Sequence, residues 1–552
     1  MKNIKNLFYL SFVILILSCT GSKDEKSYNE LRKTVLEHYR GDKNPLKEKA
    51  ALFLLDNLKD RYAVKGERYQ TYCDTIKKYY QNGDTLHKRL LSLFSRSYHE
   101  DTLKDVNILT AGYLIDQIDR SFATLDRAGW KNQVSFNDFC EYILPYRIGN
   151  EPLENWKCDI IKDSVFSATG NEIYSITDLR TAATRFIKKL HQIKAPGFKG
   201  KWGEDNANLP DFPYSVFKLL TTGDCFTISR INVFNCRAAG FPITDDFTPL
   251  WADHPAGHDW PAIISGPGPI PFNFPIKDTL GVYKRKDMTP TKVYRNTFSE
   301  NPNSHVKQRG YCNFLPMFLN NPRLIDVTDA YIPTLDIEIP VLSKQGNNKF
   351  AYLASSDRQR WELVGWGATN NRLAKYTKIG LNAVYLPVLV SEKGGGPLNY
   401  PFIVAEHGRI QYFKPNLEKL QTVKLLRKSR LTVNNRLNIE MMIDSKFQAS
   451  NSEDFKNPIT LYTITEYPDV YLNEIKINSS KKYRYVRYLG RDIWRCQIAE
   501  IEFYEKNVNT PLKGKFIGTK GVQPFENAFD GNVLTYFEAT AEKGRWGWSR
   551  FG

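Results

Sequence analysis

The sequence predicts a multidomain α+β protein: a helical N-terminal region, an α+β core, and β-sandwich modules beyond it. Three observations predict this. Helical apolar periodicity recurs from residue 28 to about 165. A helix followed by short strands occupies the middle of the chain. From about 290 onward, short alternating runs lie between turn signals with no helical period. Length agrees, because 552 residues make three or four domains at about 150 residues each. Apolar residues are 41% and charged residues 25%, which excludes a largely disordered chain and a multi-span membrane protein.

The expected boundaries are a leader at 1–19, a tether at 20–30, a helical region at 31–165 and the core at 166–290. A β-sandwich module at 291–435, a second β module at 436–506 and a short segment at 507–552 come after it. In the helical region, Ala50 to Leu55 with Leu58 form one apolar face. Similar patterns recur at Leu86 to Leu93 and Leu109 to Ile118. Pro145 and Pro152 mark turns. A helix is expected around Asp178 to Leu190. Strands are expected at Phe350–Ser355, Trp361–Gly367, Ala383–Val390 and Pro401–Ala405, with Gly394 to Gly396 as a loop. Tyr483 to Tyr488 alternates aromatic and basic residues, as a half-buried strand with solvated arginines would.

The N-terminus reads as a secretory leader. Lys2 and Lys5 precede an apolar run from Leu7 to Leu17, eleven residues where a helical span needs about twenty. The run ends Ile16-Leu17-Ser18-Cys19, which looks like a lipobox with Cys19 as the lipidated residue; the alternative is an ordinary signal peptide with an incidental cysteine. Lys23-Asp24-Glu25 just beyond it resembles the surface-export signal of Bacteroidetes lipoproteins. That resemblance implies an outer-membrane lipoprotein facing the cell exterior. Beyond Cys19, seven cysteines remain at irregular spacing, so no disulfide framework or zinc-thiolate site is expected.

The chemistry concentrates between 214 and 280. A helix is expected from Cys225 to Ala239, capped by Thr222 or Asp224 and ended by Gly240. Cys225 then sits where the helix dipole and unpaired N–H groups favour a thiolate nucleophile. His258, at the edge of an apolar strand, can act as its base. Asn273, fifteen residues on, can orient the imidazole through its other nitrogen, and Asp278 is the charged alternative. The backbone N–H of Cys225 is one expected oxyanion donor, with Trp202 and Asn208 as candidates for the second. Cys236, three turns along, reads as a packing residue. His254 and His258 stand four apart, but Pro255 and Gly257 break the helix such a metal pair needs, so no metal is expected. No cofactor motif occurs.

These residues carry a resemblance. Gly223-Asp224-Cys225, then Ala239-Gly240-Phe241-Pro242, then His258-Asp259-Trp260 resemble the transglutaminase-like cysteine-enzyme superfamily over about 170–280. It implies a papain-like α+β core and Cys-His-Asp acyl-transfer chemistry, with Asn273 standing where Asp is usual. Further on, Phe525 to Asn532 with Thr535-Tyr536-Phe537 resembles the opening of a discoidin, or coagulation-factor type C, domain. The stretch 436–506 resembles a galactose-binding-like module. Both imply glycan binding, and 507–552 reads as a truncated copy.

The formal charge is +17, yet residues 201–280 hold five basic and nine acidic residues, a net of −4. A nucleic-acid partner would want the basic surplus around the working site, so none is expected. Two functions fit these features. One is a surface lipoprotein acting as a cysteine amidase or peptidase on protein or glycoprotein substrates. The other is a glycan-binding lipoprotein using the transglutaminase-like domain as a scaffold.

Overall fold

The computed structural model describes residues 23–81, 101–162, 172–192, 210–220, 224–252, 256–273, 280–283, 288–342, 349–356, 361–370, 372–392, 394–405, 408–422, 439–468, 472–491, 496–518, 523–539 and 549–551. They form a mixed α+β protein with a helical N-terminal half, antiparallel sheets and a curled half-barrel sheet later in the chain. The chain divides into two compact units, residues 1–415 and 416–552. Among the described residues, no helix is long and apolar enough to cross a membrane. The leader with Cys19 and the 86–93 pattern lie outside the described residues.

The first unit begins with helices α1 (Lys23–Tyr39) and α2 (Pro45–Asp56). Asn44 caps α2 by accepting from the Leu46 N–H, and Pro45 occupies the first turn, where its missing donor costs nothing. Strand β1 (Tyr62–Lys65), helix α3 (Glu67–Gln81), strand β2 (Asp101–Lys104) and helices α4 (Ala111–Arg127) and α5 (Phe136–Tyr142) come next. β1 and β2 pair antiparallel, so the region read as wholly helical contains a small sheet. Leu31, Val35, Leu54, Leu58, Leu114, Ile118 and Phe139 form one core from the apolar stripes of these helices.

A second layer holds the middle of the chain. It comprises α6 (Trp156–Lys162), α7 (Leu179–Gln192), the short α8 (Tyr214–Phe217) and α9 (Cys225–Ala238). Asp178 caps α7 through the Thr181 N–H at 2.8 Å. Next come β3 (Ile243–Thr248), β4 (His258–Ser265), β5 (Gly268–Pro271), β6 (Tyr294–Asn296) and β7 (Leu324–Asp326). They make an antiparallel sheet in the order β5-β4-β3-β6-β7. Alternate residues of this sheet face two cores. Ile243 and Ile263 pack with Val233 and Phe234 of α9. Trp260 packs on the other side with Trp251, Tyr283 and Val293. On that side Asp246 takes a bidentate bond from Arg295, at 2.9 and 2.7 Å, with Tyr331 as a further donor.

Helix α10 (His305–Arg309) precedes strands β8 (Thr334–Pro340), β9 (Phe350–Ser356), β10 (Trp361–Thr369), β11 (Leu373–Gly380), β12 (Val384–Ser391), β13 (Gly394–Pro397), β14 (Phe402–Val404) and β15 (Ile410–Tyr412). They form one eight-stranded antiparallel sheet, in which β13 pairs only with β12. A single sheet that curls around its own core replaces the two stacked sheets of the expected sandwich. Ile339, Leu353, Val364, Tyr385 and Phe402 fill its concave side. Gly394 to Gly396, expected as a loop, are strand residues because Gly395 and Gly396 lie opposite Val390 and Leu389. A Cβ at Gly395 would sit 2.1 Å from the Leu389 carbonyl oxygen, so the pairing needs glycine there.

In the second unit, β16 (Lys446–Ser450), β17 (Ile459–Thr463), β18 (Tyr485–Leu489), β19 (Phe516–Gly518) and β20 (Ser549–Phe551) form a five-stranded antiparallel sheet. Residues before and after 506 share that sheet and one core of Tyr488, Ile498, Ala528 and Phe537. The division expected at 506 is therefore absent here: β19 and β20 alone are too few strands to bury a face, and they extend the sheet of β16 to β18. Arg487, expected as solvated, is buried instead. It lies over the Phe455 ring and donates twice to Gln448 Oε1, at 2.9 and 2.6 Å.

Two outcomes test this packing. Asp246→Ala leaves a buried guanidinium without its carboxylate and is expected to cost about 3–5 kcal/mol, read as a lower urea midpoint at unchanged slope. His305 is buried, with its ring nitrogens on the Leu319 carbonyl and the Tyr352 hydroxyl, and burial pushes its pKa down to about 4. Its unfolded value is about 6.5, so the stability it contributes is whole above that pH and falls as pH drops toward 4, by about 3 kcal/mol. Chemical denaturation of the wild type and His305→Gln between pH 7 and 4.5 should show a shallower acid loss in the variant.

Candidate active site

The site is built on α9, and α9 is almost wholly buried. From Phe226 to Ala238 only Ile228 is partly exposed; the helix otherwise reaches solvent at its first residue, Cys225, and its cap. Asp224 is the N-cap, with extended backbone and a side chain that accepts from the Thr227 N–H and hydroxyl, each at 2.9 Å. Gly240 closes the other end at φ +83°. The Phe241 N–H reaches the Cys236 carbonyl at 3.0 Å, and the Gly240 N–H reaches that of Arg237 at 3.1 Å. Cys236 is buried as a packing residue, and burial pushes its thiol well up.

β4 delivers the next two residues. His258 and Asp259 open the strand opposite Thr248 and Phe247 of β3. Gly257 precedes them because a Cβ there would sit 2.5 Å from the Thr248 carbonyl oxygen. Pleating sends neighbouring side chains to opposite sides of a strand. Asp259 shares its side with Ile263, the side that faces α9, and its Oδ2 accepts from the Cys225 thiol at 3.6 Å. His258 shares its side with Trp260, and its ring lies 5.8 Å from those of Trp260 and Trp251.

Asn273 lies beyond β5 and meets His258: Nε2 lies 3.0 Å from Asn273 Oδ1. An amide oxygen only accepts, so Nε2 carries the proton and Nδ1 keeps a lone pair. Burial holds the imidazole below its usual pKa, against the opposing effects of the Asn273 bond and the Asp259 charge. The ring is therefore neutral near pH 7 and has the form of a base. The structure brings His258 and Asn273 together, and pairs Cys225 with Asp259. Among the described residues no hydrogen bond joins Cys225 to His258. Asp278, Trp202, Asn208 and His254 lie outside the described residues.

Sequence reasoning missed what lies beneath the cysteine. Ser229, one turn along α9, donates to Asp245 of β3. Asp245 is fully buried, and burial first, then the Asp259 charge, pushes its carboxyl well up. Arg230 is buried with Nη2 3.9 Å from Asp211, and the charges of Asp211, Asp245, Glu151 and Asp259 act on it. One signal was available: Asp245 and Asp259 have the same parity on paired strands, and Ser229 lies four residues from Cys225. No protein-family model, curated protein or solved structure matches the chain.

The arrangement supplies a half-exposed thiol at a helix N-terminus, a neutral imidazole held by an amide, and a carboxylate on the sulfur. A carboxylate acceptor favours the thiol over the thiolate. Asp259→Asn is therefore expected to speed iodoacetamide alkylation of Cys225 at pH 7 on the order of tenfold, one pKa unit's worth of charge interaction. Mass-spectrometric labelling rates at Cys225 check this; an unchanged rate would mean the carboxylate does not act on the sulfur.

Proposed function

We propose that the chain is a cell-surface lipoprotein whose transglutaminase-like domain is a cysteine amidase or peptidase, acting by acyl transfer on protein or glycoprotein substrates. The observation that carries this reading is the His258–Asn273 pair at 3.0 Å, one residue from the carboxylate that touches Cys225 at a helix N-terminus. Papain-like membership is part of the proposal. Its support is the order of parts: a cysteine opening a helix, a Gly-Phe-Pro turn, then antiparallel strands that bring up His258 and Asn273.

In this mechanism His258 Nδ1 takes the thiol proton as sulfur attacks an amide carbonyl. The ring and the sulfur close on one another around the bound substrate, as catalytic pairs commonly tighten only in complex. Asn273 keeps the imidazole in the tautomer that accepts at Nδ1. The Cys225 backbone N–H, in the first turn of α9, stabilises the oxyanion. The amine leaves with the imidazolium proton, and water attacks the thioester to release the acid and restore the thiol. Lipid at Cys19 anchors the protein to the outer membrane facing outward, and the β modules hold it on glycans.

One observation favours a second reading. The thiol donates a hydrogen bond to the Asp259 carboxylate, as suits a non-catalytic glycan-binding lipoprotein with this domain as scaffold. Turnover of quenched fluorescent peptides separates the two. The first reading expects wild-type hydrolysis, a loss on the order of a thousandfold or more in Cys225→Ala and His258→Ala, and retained or raised activity in Asn273→Asp. No wild-type turnover, with glycan binding unchanged in Cys225→Ala, would establish the second.

A further inference from the structure

A polar recess lies within the first unit, lined from the N-terminal helices and the sheet. Arg61, Arg147 and Arg237 line it together with Glu141, Asp245 and Phe298. Its free space suits one small ion or water molecule and no polyatomic ligand.

The three arginines differ in how they are satisfied. Arg147 is held by Asp105 at 2.9 and 2.7 Å. Among the described residues, Arg61 and Arg237 have no such carboxylate. Arg61 donates from Nη2 to the Phe298 carbonyl at 2.5 Å, and its guanidinium lies 3.7 Å above the Phe298 ring. Arg237 donates to the carbonyls of Arg147 and Ile243 at 3.2 and 3.1 Å. Both side chains are more than nine-tenths buried, and neither Nε has an acceptor among the described residues. Burial lowers their pKa values only to about 9 and about 10, so both are cations near neutrality.

The acids lining the recess are already engaged. Glu141 accepts from the Phe298 and Ser299 N–H groups. Asp245 bonds Ser229 and Asn296, and burial favours its protonated form. Glu151 attracts Arg237 from outside the recess, but its carboxylate is bonded to the Ile148 and Gly149 N–H groups at 2.7 Å. Among the described residues, each of the two cations thus keeps a buried Nε without an acceptor, beside a recess where a single small acceptor fits. A buried donor left unmet is costly, and more so on a charged group.

We propose that this recess binds one small monovalent anion of the halide class, held between Arg61 and Arg237. A halide supplies the charge and accepts from both Nε–H groups, and it needs no donors of its own. The site is also tied to the cysteine end of the molecule, because Asp245 links it to Ser229 of α9 and to the charge of Asp259.

Melting of the full protein at fixed pH and ionic strength tests this, with chloride replacing gluconate stepwise. The expected result is a saturable rise in Tm of about 3 °C or more, the signature of a ligand that binds the folded state. Arg237→Gln should abolish the response. Bromide-soaked crystals should show one anomalous peak within hydrogen-bond reach of both Nε atoms, which decides the matter even if the variant fails to fold. Equal melting in the two salts, a linear rise common to both, or water without anomalous signal in the recess would overturn the proposal.

Discussion

The fold around the candidate site depends on one constraint: α9 is buried along nearly its whole length, so both its ends must be closed by the chain. A buried helix cannot leave its terminal N–H and C=O groups to water. Asp224 closes one end and Gly240 the other, and each closure directs the chain beside it. The cap leaves Cys225 at the surface, where the helix otherwise exposes only part of Ile228. The glycine turns the chain into β3, which returns beneath the same helix and forms the sheet that carries His258.

The sheet then has to serve two interiors. Its successive acids show this clearly. Asp245 faces α9 and bonds Ser229, while Asp246 faces away and bonds Arg295. The same alternation two strand positions before Pro261 separates Asp259 from His258. One strand end therefore presents a carboxylate to the cysteine and an imidazole to a tryptophan-lined side. Burial governs the charges on both. It keeps His258 neutral and favours a protonated Asp245, so the ground beneath the cysteine carries less charge than its residues suggest.

Much of the architecture was legible in residue patterns. Periodicity, capping residues and glycine positions marked α7 and α9 to within a residue or two, because those signals are local. Turn-bounded alternating runs marked four of the eight strands of the curled sheet, β9, β10, β12 and β14. Patterns failed where partners decided the outcome. Gly394 to Gly396 have no side chains to declare a strand, yet pairing with β12 makes them one. Arg487 alternates like a solvated residue, yet Gln448 and Phe455 bury it. A sandwich and a curled sheet have the same alternation, so only closure in space tells them apart.

For the site, the sequence by itself determined the chemical parts: a cysteine opening a helix, a histidine opening a strand, and an asparagine fifteen residues later. Those parts come from local rules of capping and periodicity. Tertiary structure alone decided which part meets which. Strand register and pleat gave the cysteine Asp259, gave the histidine Asn273, and set Arg61 and Arg237 around a common recess. The physical reason is that hydrogen bonds and buried charges join residues far apart in the chain. A sequence pattern records what each residue can donate or accept; packing selects its partner.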